Sequence, residues 1–126
     1  MAIQNIFVVG AGLMGSGIAQ NAITSGFDVT LNDKQQAAVE RAQVVIKKAL
    51  AREVSKGRMT QEAMDEALTH LTVDSGMEGA KKADLVIEAI YENLEAKQAV
   101  FTELEDLCPA KTIFASNTSS ISLTAL

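Results

Sequence analysis

The chain is expected to be an α/β protein, a doubly wound parallel sheet with helices on both faces. Three observations carry that expectation. Short apolar runs alternate with amphipathic helical stretches along all 126 residues. The first run, Ile3-Gln4-Asn5-Ile6-Phe7-Val8-Val9, breaks directly into a cluster of four glycines that opens a helix. A second run ends on an acidic residue, Asp33, so that strand, helix and strand follow one another in about thirty residues. Such units are right-handed and produce parallel sheets.

Each element has its own signal. Residues 3–9 are nearly all apolar, the pattern of a strand buried on both faces. A helix over 13–25 puts Ile18, Ala19, Ala22 and Ile23 on one face, with Gly26 as its stop. Val29-Thr30-Leu31 forms the second strand and ends at Asn32-Asp33. Residues 34–55 read as a long helix carrying Val39, Ala42, Ile46, Leu50 and Val54 at spacings of three and four, ended by Lys56-Gly57. A second helix over 60–70 shows Ala63, Met64, Ala67, Leu68 and Leu71 as its apolar stripe, so a helical hairpin is inserted after strand 2. The third strand is Leu71-Thr72-Val73, a brief helix covers 79–82, and residues 84–89 make a fourth, buried-type strand. A helix over 94–107 turns Val100, Phe101, Leu104 and Leu107 inward and is terminated by Pro109. Residues 112–115 are the fifth strand, followed by the loop Ser116-Asn117-Thr118-Ser119-Ser120. No internal repeat, low-complexity tract or linker divides the chain, so one domain over 1–126 is expected.

Composition narrows the classes of partner. The net charge of −5 offers no basic surplus for phosphate neutralisation, which argues against a nucleic-acid partner. Cys108 is the single cysteine, without a disulfide partner or metal-ligand spacing, and reads as a small buried apolar residue in a reducing compartment. No metal site is expected. The amino terminus lacks the pattern of a secretory or organellar leader, and no apolar run approaches the roughly 20 residues that span a bilayer. A soluble, cytoplasmic chain is expected, with no membrane partner.

The glycines point to a ligand. Gly10, Gly12 and Gly15 have the G-x-G-x-x-G spacing, follow a buried-type strand, open a helix and precede Asp33, which lies 21 residues beyond Gly12. Gly10 permits a tight turn, Gly12 lets the main chain approach a pyrophosphate, and Gly15 brings helix and strand together. The first helical turn then offers its amides to phosphate. Asp33 would accept hydrogen bonds from ribose hydroxyls and repel a 2′-phosphate, favouring NAD over NADP, with the adjacent Lys34 as a reservation. Two alternatives stay open on this pattern: glycines serving only helix–sheet packing, with Asp33 a solvated turn residue, or a flavin-binding domain.

Three segments taken together resemble a known family. They are Val9-Gly10-Ala11-Gly12-Leu13-Met14-Gly15-Ser16-Gly17-Ile18-Ala19-Gln20, then Asp84-Leu85-Val86-Ile87-Glu88-Ala89-Ile90-Tyr91-Glu92 with Lys97, then Ala115-Ser116-Asn117-Thr118-Ser119-Ser120. In this order they are similar to the NAD-binding domain of the 3-hydroxyacyl-CoA dehydrogenases, over essentially the whole chain. The resemblance implies a Rossmann-type fold, NAD as cofactor, and oxidation of (S)-3-hydroxyacyl-CoA to 3-oxoacyl-CoA or the reverse. It implies that Gly10, Ala11, Gly12, Leu13, Met14, Gly15 and Asp33 hold the cofactor, that Glu92 and Lys97 contact its nicotinamide half, and that Asn117 is a further contact. Ser119 would touch both NAD and the substrate hydroxyl as the catalytic residue of this chain. Lys56 would meet coenzyme A. Lys48, Arg52 and Lys56, at i, i+4 and i+8, present three cations on one helical face, either for coenzyme A phosphates or as a solvated charged face. Ser119 also fits a helix cap, since a helix is expected to begin near Ser120.

The family's catalytic histidine, in a His-Phe-Phe-Asn-Pro-like segment oriented by a glutamate, has no counterpart here. The one histidine, His70, falls at the end of the hairpin and reads as structural or exposed. The chain stops on Ile121-Ser122-Leu123-Thr124-Ala125-Leu126, an apolar helix start without a stop signal. It therefore reads as a cofactor domain separated from a helical carboxyl-terminal domain, with exposed apolar surface that favours self-association, and from a parent expected to be a homodimer. The rival readings are a non-catalytic NAD-binding module and a different NAD-dependent 3-hydroxyacid dehydrogenase that does not use coenzyme A.

Overall fold

The computed structural model describes residues 3–89, 94–108 and 112–116. Its strands are β1 (Asn5–Val9), β2 (Asp28–Asn32), β3 (Leu71–Asp74), β4 (Leu85–Glu88) and β5 (Ile113–Ser116). Its helices are α1 (Leu13–Thr24), α2 (Gln36–Ser55), α3 (Gln61–Thr69) and α4 (Leu94–Leu107), with a 3-10 turn over Glu78–Lys82. All strand pairs are parallel, in the order β3-β2-β1-β4-β5. This is the doubly wound α/β sheet read from the alternating pattern, with the α2–α3 hairpin inserted after β2.

The sheet separates two cores because β1 is buried on both sides. Ile6 and Val8 point into one core and Phe7 and Val9 into the other. The first core packs Ala19 and Ile23 of α1, Val39, Ala42, Ile46 and Leu50 of α2, and Ala67 of α3 against the sheet. Ile46 and Leu50 are fully buried, each contributing about 1.5–3 kcal/mol of transfer free energy. The second core joins Ala80 and Ala83 to Val86, Phe114 and Leu104 of α4.

Several boundaries differ from the sequence expectation, for local reasons. β1 begins at Asn5 rather than Ile3, because Asp84 Oδ2 accepts from the amides of Gln4 and Asn5 at 2.9 Å each. Thr60 and Ser25 are caps rather than helical residues, and the Thr60 side chain accepts from the Ala63 amide at 3.0 Å. The brief helix is a 3-10 turn. Ala63 is exposed, so the stripe of α3 narrows to Ala67 with the half-buried Met64 and Leu68. Val54 is half-buried at the far end of α2. The inward placement of Val100 and Phe101 and the role of Pro109 lie outside the described residues, while Leu104 is buried as expected. Among the described residues no helix is long and apolar enough to cross a membrane.

Candidate dinucleotide site

The chain leaves β1 through Gly10, whose φ of 106° is open to glycine and costly for any side chain. That turn is fixed from its neighbours: the Gly10 amide donates to Asn32 O at 2.7 Å, and the Ala89 amide donates to Val9 O at 2.8 Å. Gly15 then brings α1 against the turn. A Cβ there would sit 1.7 Å from Gly10 O and 2.9 Å from Gly10 C. Its packing role is as the spacing predicts.

Gly12 behaves differently. It is the N-cap of α1 in an ordinary extended conformation, and a Cβ built on it meets no atom within 4 Å. Among the described residues no atom therefore requires glycine here. Gly12 brings no capping side chain to α1 and the first turn holds no carboxylate, so among the described residues no side chain is found on the first-turn amides, where the positive end of the dipole lies. The exposed Leu13 and Met14 belong to that turn. The loop lies where the sheet changes direction, between β1–β2 on one side and β4 on the other, the place where doubly wound folds seat a ligand.

Asp33 follows β2 and meets the same loop. Its Oδ2 accepts from the Ala11 amide at 3.0 Å and its Oδ1 from the Gln35 amide at 3.0 Å. A carboxylate has about four acceptor positions, so each oxygen keeps capacity for a ribose hydroxyl. Between the glycine loop and α2 lies a cavity of about 320 Å³, bordered by Ala11, Gly12, Asp33, Ala38, Arg41 and Val45 among others.

Two contributors to this site were not singled out from the sequence. Arg41 borders the cavity from α2; the spacing Ala38, Arg41, Val45 at i, i+3 and i+7 marks that face. Asn32, 2 % exposed, donates through Nδ2 to Gly76 O at 2.6 Å and Asp74 O at 3.3 Å, tying the turn after β3 to the end of β2. A polar residue in the last position of an otherwise buried strand is its only sequence signal.

The remaining predicted residues separate. Lys48, Arg52 and Lys56 are all exposed along the outside of α2, with Lys56 as its C-cap, and none enters an ion pair with a described residue. Glu92, Asn117 and Ser119 lie outside the described residues, as does the side chain of Lys97 in the first turn of α4. Cys108 is half-buried, and burial pushes its thiol pKa up, in keeping with a packing role.

His70 sits at the opposite, amino-terminal edge of the sheet. Its Nδ1 lies 2.7 Å from Asp28 Oδ1 and its Nε2 3.1 Å from Glu66 Oε2. The hydrogen bond to Asp28 holds the imidazole pKa above its ordinary value, and the same bond holds the Asp28 carboxyl below its own. A cavity of about 290 Å³ beside it, bordered by Asp28, Thr30, Thr72 and Lys82, does not reach the glycine loop. His70 is a structural clamp between α3 and β2. Among the described residues no three His, Cys, Asp or Glu side chains are grouped to hold a metal ion.

A glycine-capped helix start, aimed by a sheet that changes direction there, is what a Rossmann-type dinucleotide-binding domain presents to a pyrophosphate. Comparison with known proteins narrows this class. The chain belongs to the family described as "3-hydroxyacyl-CoA dehydrogenase, NAD binding domain", which matches residues 5–126. It is 44% identical over 126 residues to the probable 3-hydroxybutyryl-CoA dehydrogenase of Bacillus subtilis (strain 168), covering 100% of this chain and 44% of that protein. The solved 3-hydroxybutyryl-CoA dehydrogenase of Escherichia coli K12 superposes with a TM-score of 0.92 at 39% identity, over 97% of this chain and 26% of the other. The (S)-3-hydroxybutyryl-CoA dehydrogenase PaaH1 of Ralstonia eutropha gives 0.91 at 34% identity, over 96% and 43%. The chain thus spans less than half the length of these relatives.

Proposed function

We propose that this chain binds NAD as the cofactor-holding part of an NAD-dependent dehydrogenase that interconverts (S)-3-hydroxyacyl-CoA and 3-oxoacyl-CoA of short or medium chain length. The observation that carries the proposal is Gly12, the N-cap of α1 just past the end of β1, where an added side chain would meet no described residue. A pyrophosphate laid against the start of α1 would use that space. NAD, when bound, supplies the acceptor for a hydride leaving C3 of the hydroxyacyl group.

The chain's own residues bind and orient. The amides of the first turn of α1 meet the pyrophosphate, and Asp33 takes the ribose hydroxyls of the adenosine half. The exposed cations Lys48, Arg52 and Lys56 suit the phosphates of coenzyme A, and Ser119 is the residue proposed to meet the substrate hydroxyl. The alcohol proton needs a base other than His70, whose two ring nitrogens are engaged by carboxylates at the wrong edge of the sheet.

Two measurements on these 126 residues test the reading. NADH titrated by its fluorescence should bind saturably. Acetoacetyl-CoA should then cause no detectable NADH oxidation, since no imidazole base stands near the glycine loop. Absence of NADH binding overturns the cofactor reading, and a robust rate overturns the division of labour.

A further inference from the structure

The cavity between the glycine loop and α2 is bordered by two residues of opposite charge, Asp33 and Arg41. They are not spent on each other. Each Asp33 oxygen accepts from one backbone amide, that of Ala11 or Gln35 at 3.0 Å, and Arg41 makes no hydrogen bond or ion pair with any described residue. Arg41 is exposed, and the small side chains Ala38 and Ala42 that border the cavity beside it leave its guanidinium room to swing. Lys34, also exposed, adds a second cation next to Asp33. An unpaired guanidinium with a fork of donors is suited to phosphate, and it gains nothing from a bare ribose hydroxyl.

We infer that Arg41 is a specificity-determining residue that reads phosphate on the adenosine ribose: Asp33 alone excludes a 2′-phosphorylated dinucleotide, and Arg41, on the border of the same cavity, would receive that phosphate. The inference rests on the dinucleotide reading above and names the residue that limits its selectivity. A ribose seated on Asp33 brings its 2′-oxygen beside the carboxylate, so a phosphate there meets like charge from Asp33 and opposite charge from Arg41. The chain therefore discriminates by repulsion rather than by lacking a phosphate site.

Fluorescence titration of NADH and NADPH into the whole chain, its Arg41→Met variant, Asp33→Ser and the double variant provides the test. Arg41→Met should weaken NADPH by about tenfold and leave NADH within about twofold. Asp33→Ser should shift the preference towards NADPH by roughly a hundredfold, and adding Arg41→Met should remove most of that gain. The NADPH effect of Arg41 should shrink in high salt. If Arg41→Met changes both dinucleotides equally, or neither, the inference is overturned while NADH binding by the wild-type chain still stands. If the wild-type chain fails to bind NADH, the dinucleotide reading and this inference fall together. Should Asp33→Ser unfold, the single Arg41→Met variant, at an exposed helical position, decides the matter alone.

Discussion

Replacing Gly12 by alanine is expected to leave the fold standing while removing most of the affinity for NAD. The backbone there is at φ −75° and ψ −165°, extended geometry that alanine adopts freely, and the added Cβ meets no atom within 4 Å. The folding cost is the poorer N-cap, up to about 1 kcal/mol, offset by about 0.4–1 kcal/mol of lost freedom in the unfolded chain. Thermal midpoints should agree within roughly 4 °C. The methyl group instead fills the space in front of α1 and holds the pyrophosphate off the first-turn amides. Losing two charge-assisted hydrogen bonds at about 1.5 kcal/mol each amounts to about 3 kcal/mol, or roughly a hundredfold in Kd. NADH fluorescence titration beside a thermal melt measures both quantities on one sample. A variant that binds NADH within about threefold of wild type would refute the pyrophosphate seat. A collapse in thermal midpoint would instead make Gly12 a packing residue.

The neighbouring glycines should behave in contrasting ways. Gly15→Ala drives a Cβ to 1.7 Å from Gly10 O, a backbone atom that cannot step aside, so α1 must shift. Even after about 1 kcal/mol of helix propensity is recovered, a net loss of about 1–3 kcal/mol is expected in denaturant melts. Gly17→Ala, exposed inside α1 with nothing within 4 Å, should stabilise by about 0.5–1 kcal/mol in the same melts. His70→Gln tests the clamp at the other edge through pH. The His70 pKa is raised above 6.5, so its contribution is complete below that value and is lost as pH rises through the folded pKa. The Asp28 pKa is lowered below 3.8, so its contribution is present above that value and lost as pH falls through the folded pKa. The wild type should hold its greatest advantage over His70→Gln between pH 3.8 and 6.5, with the two melting curves converging in alkali; parallel pH profiles would remove the clamp.

The parts of this molecule that could be read in the sequence are those set by spacing along one element. Val39, Ala42, Ile46 and Leu50 recur at helical intervals and are all buried, because one face of α2 must cover the sheet. Gly10 and Gly15 are five residues apart, and their contact follows from a strand turning into a helix. Residues whose roles depend on distant partners were harder to read. Asn32 reaches Gly76, and His70 reaches Asp28, each across more than forty positions that periodicity does not connect. The spacing of Ala38, Arg41 and Val45 marks a helical face but not its purpose, because a cation on an exposed face is commonplace; Arg41 acquires a role only when the glycine loop and Asp33 border the same cavity.

The carboxylate of Asp33 holds the amide of Ala11 with one oxygen and that of Gln35 with the other. The group that selects the nucleotide is thus also a strut of the loop that receives it. A change of coenzyme preference at this position disturbs the shape of the pyrophosphate seat in the same step. Charge at Arg41 can be altered without loosening the loop, but there it only sharpens the preference for NAD that Asp33 sets.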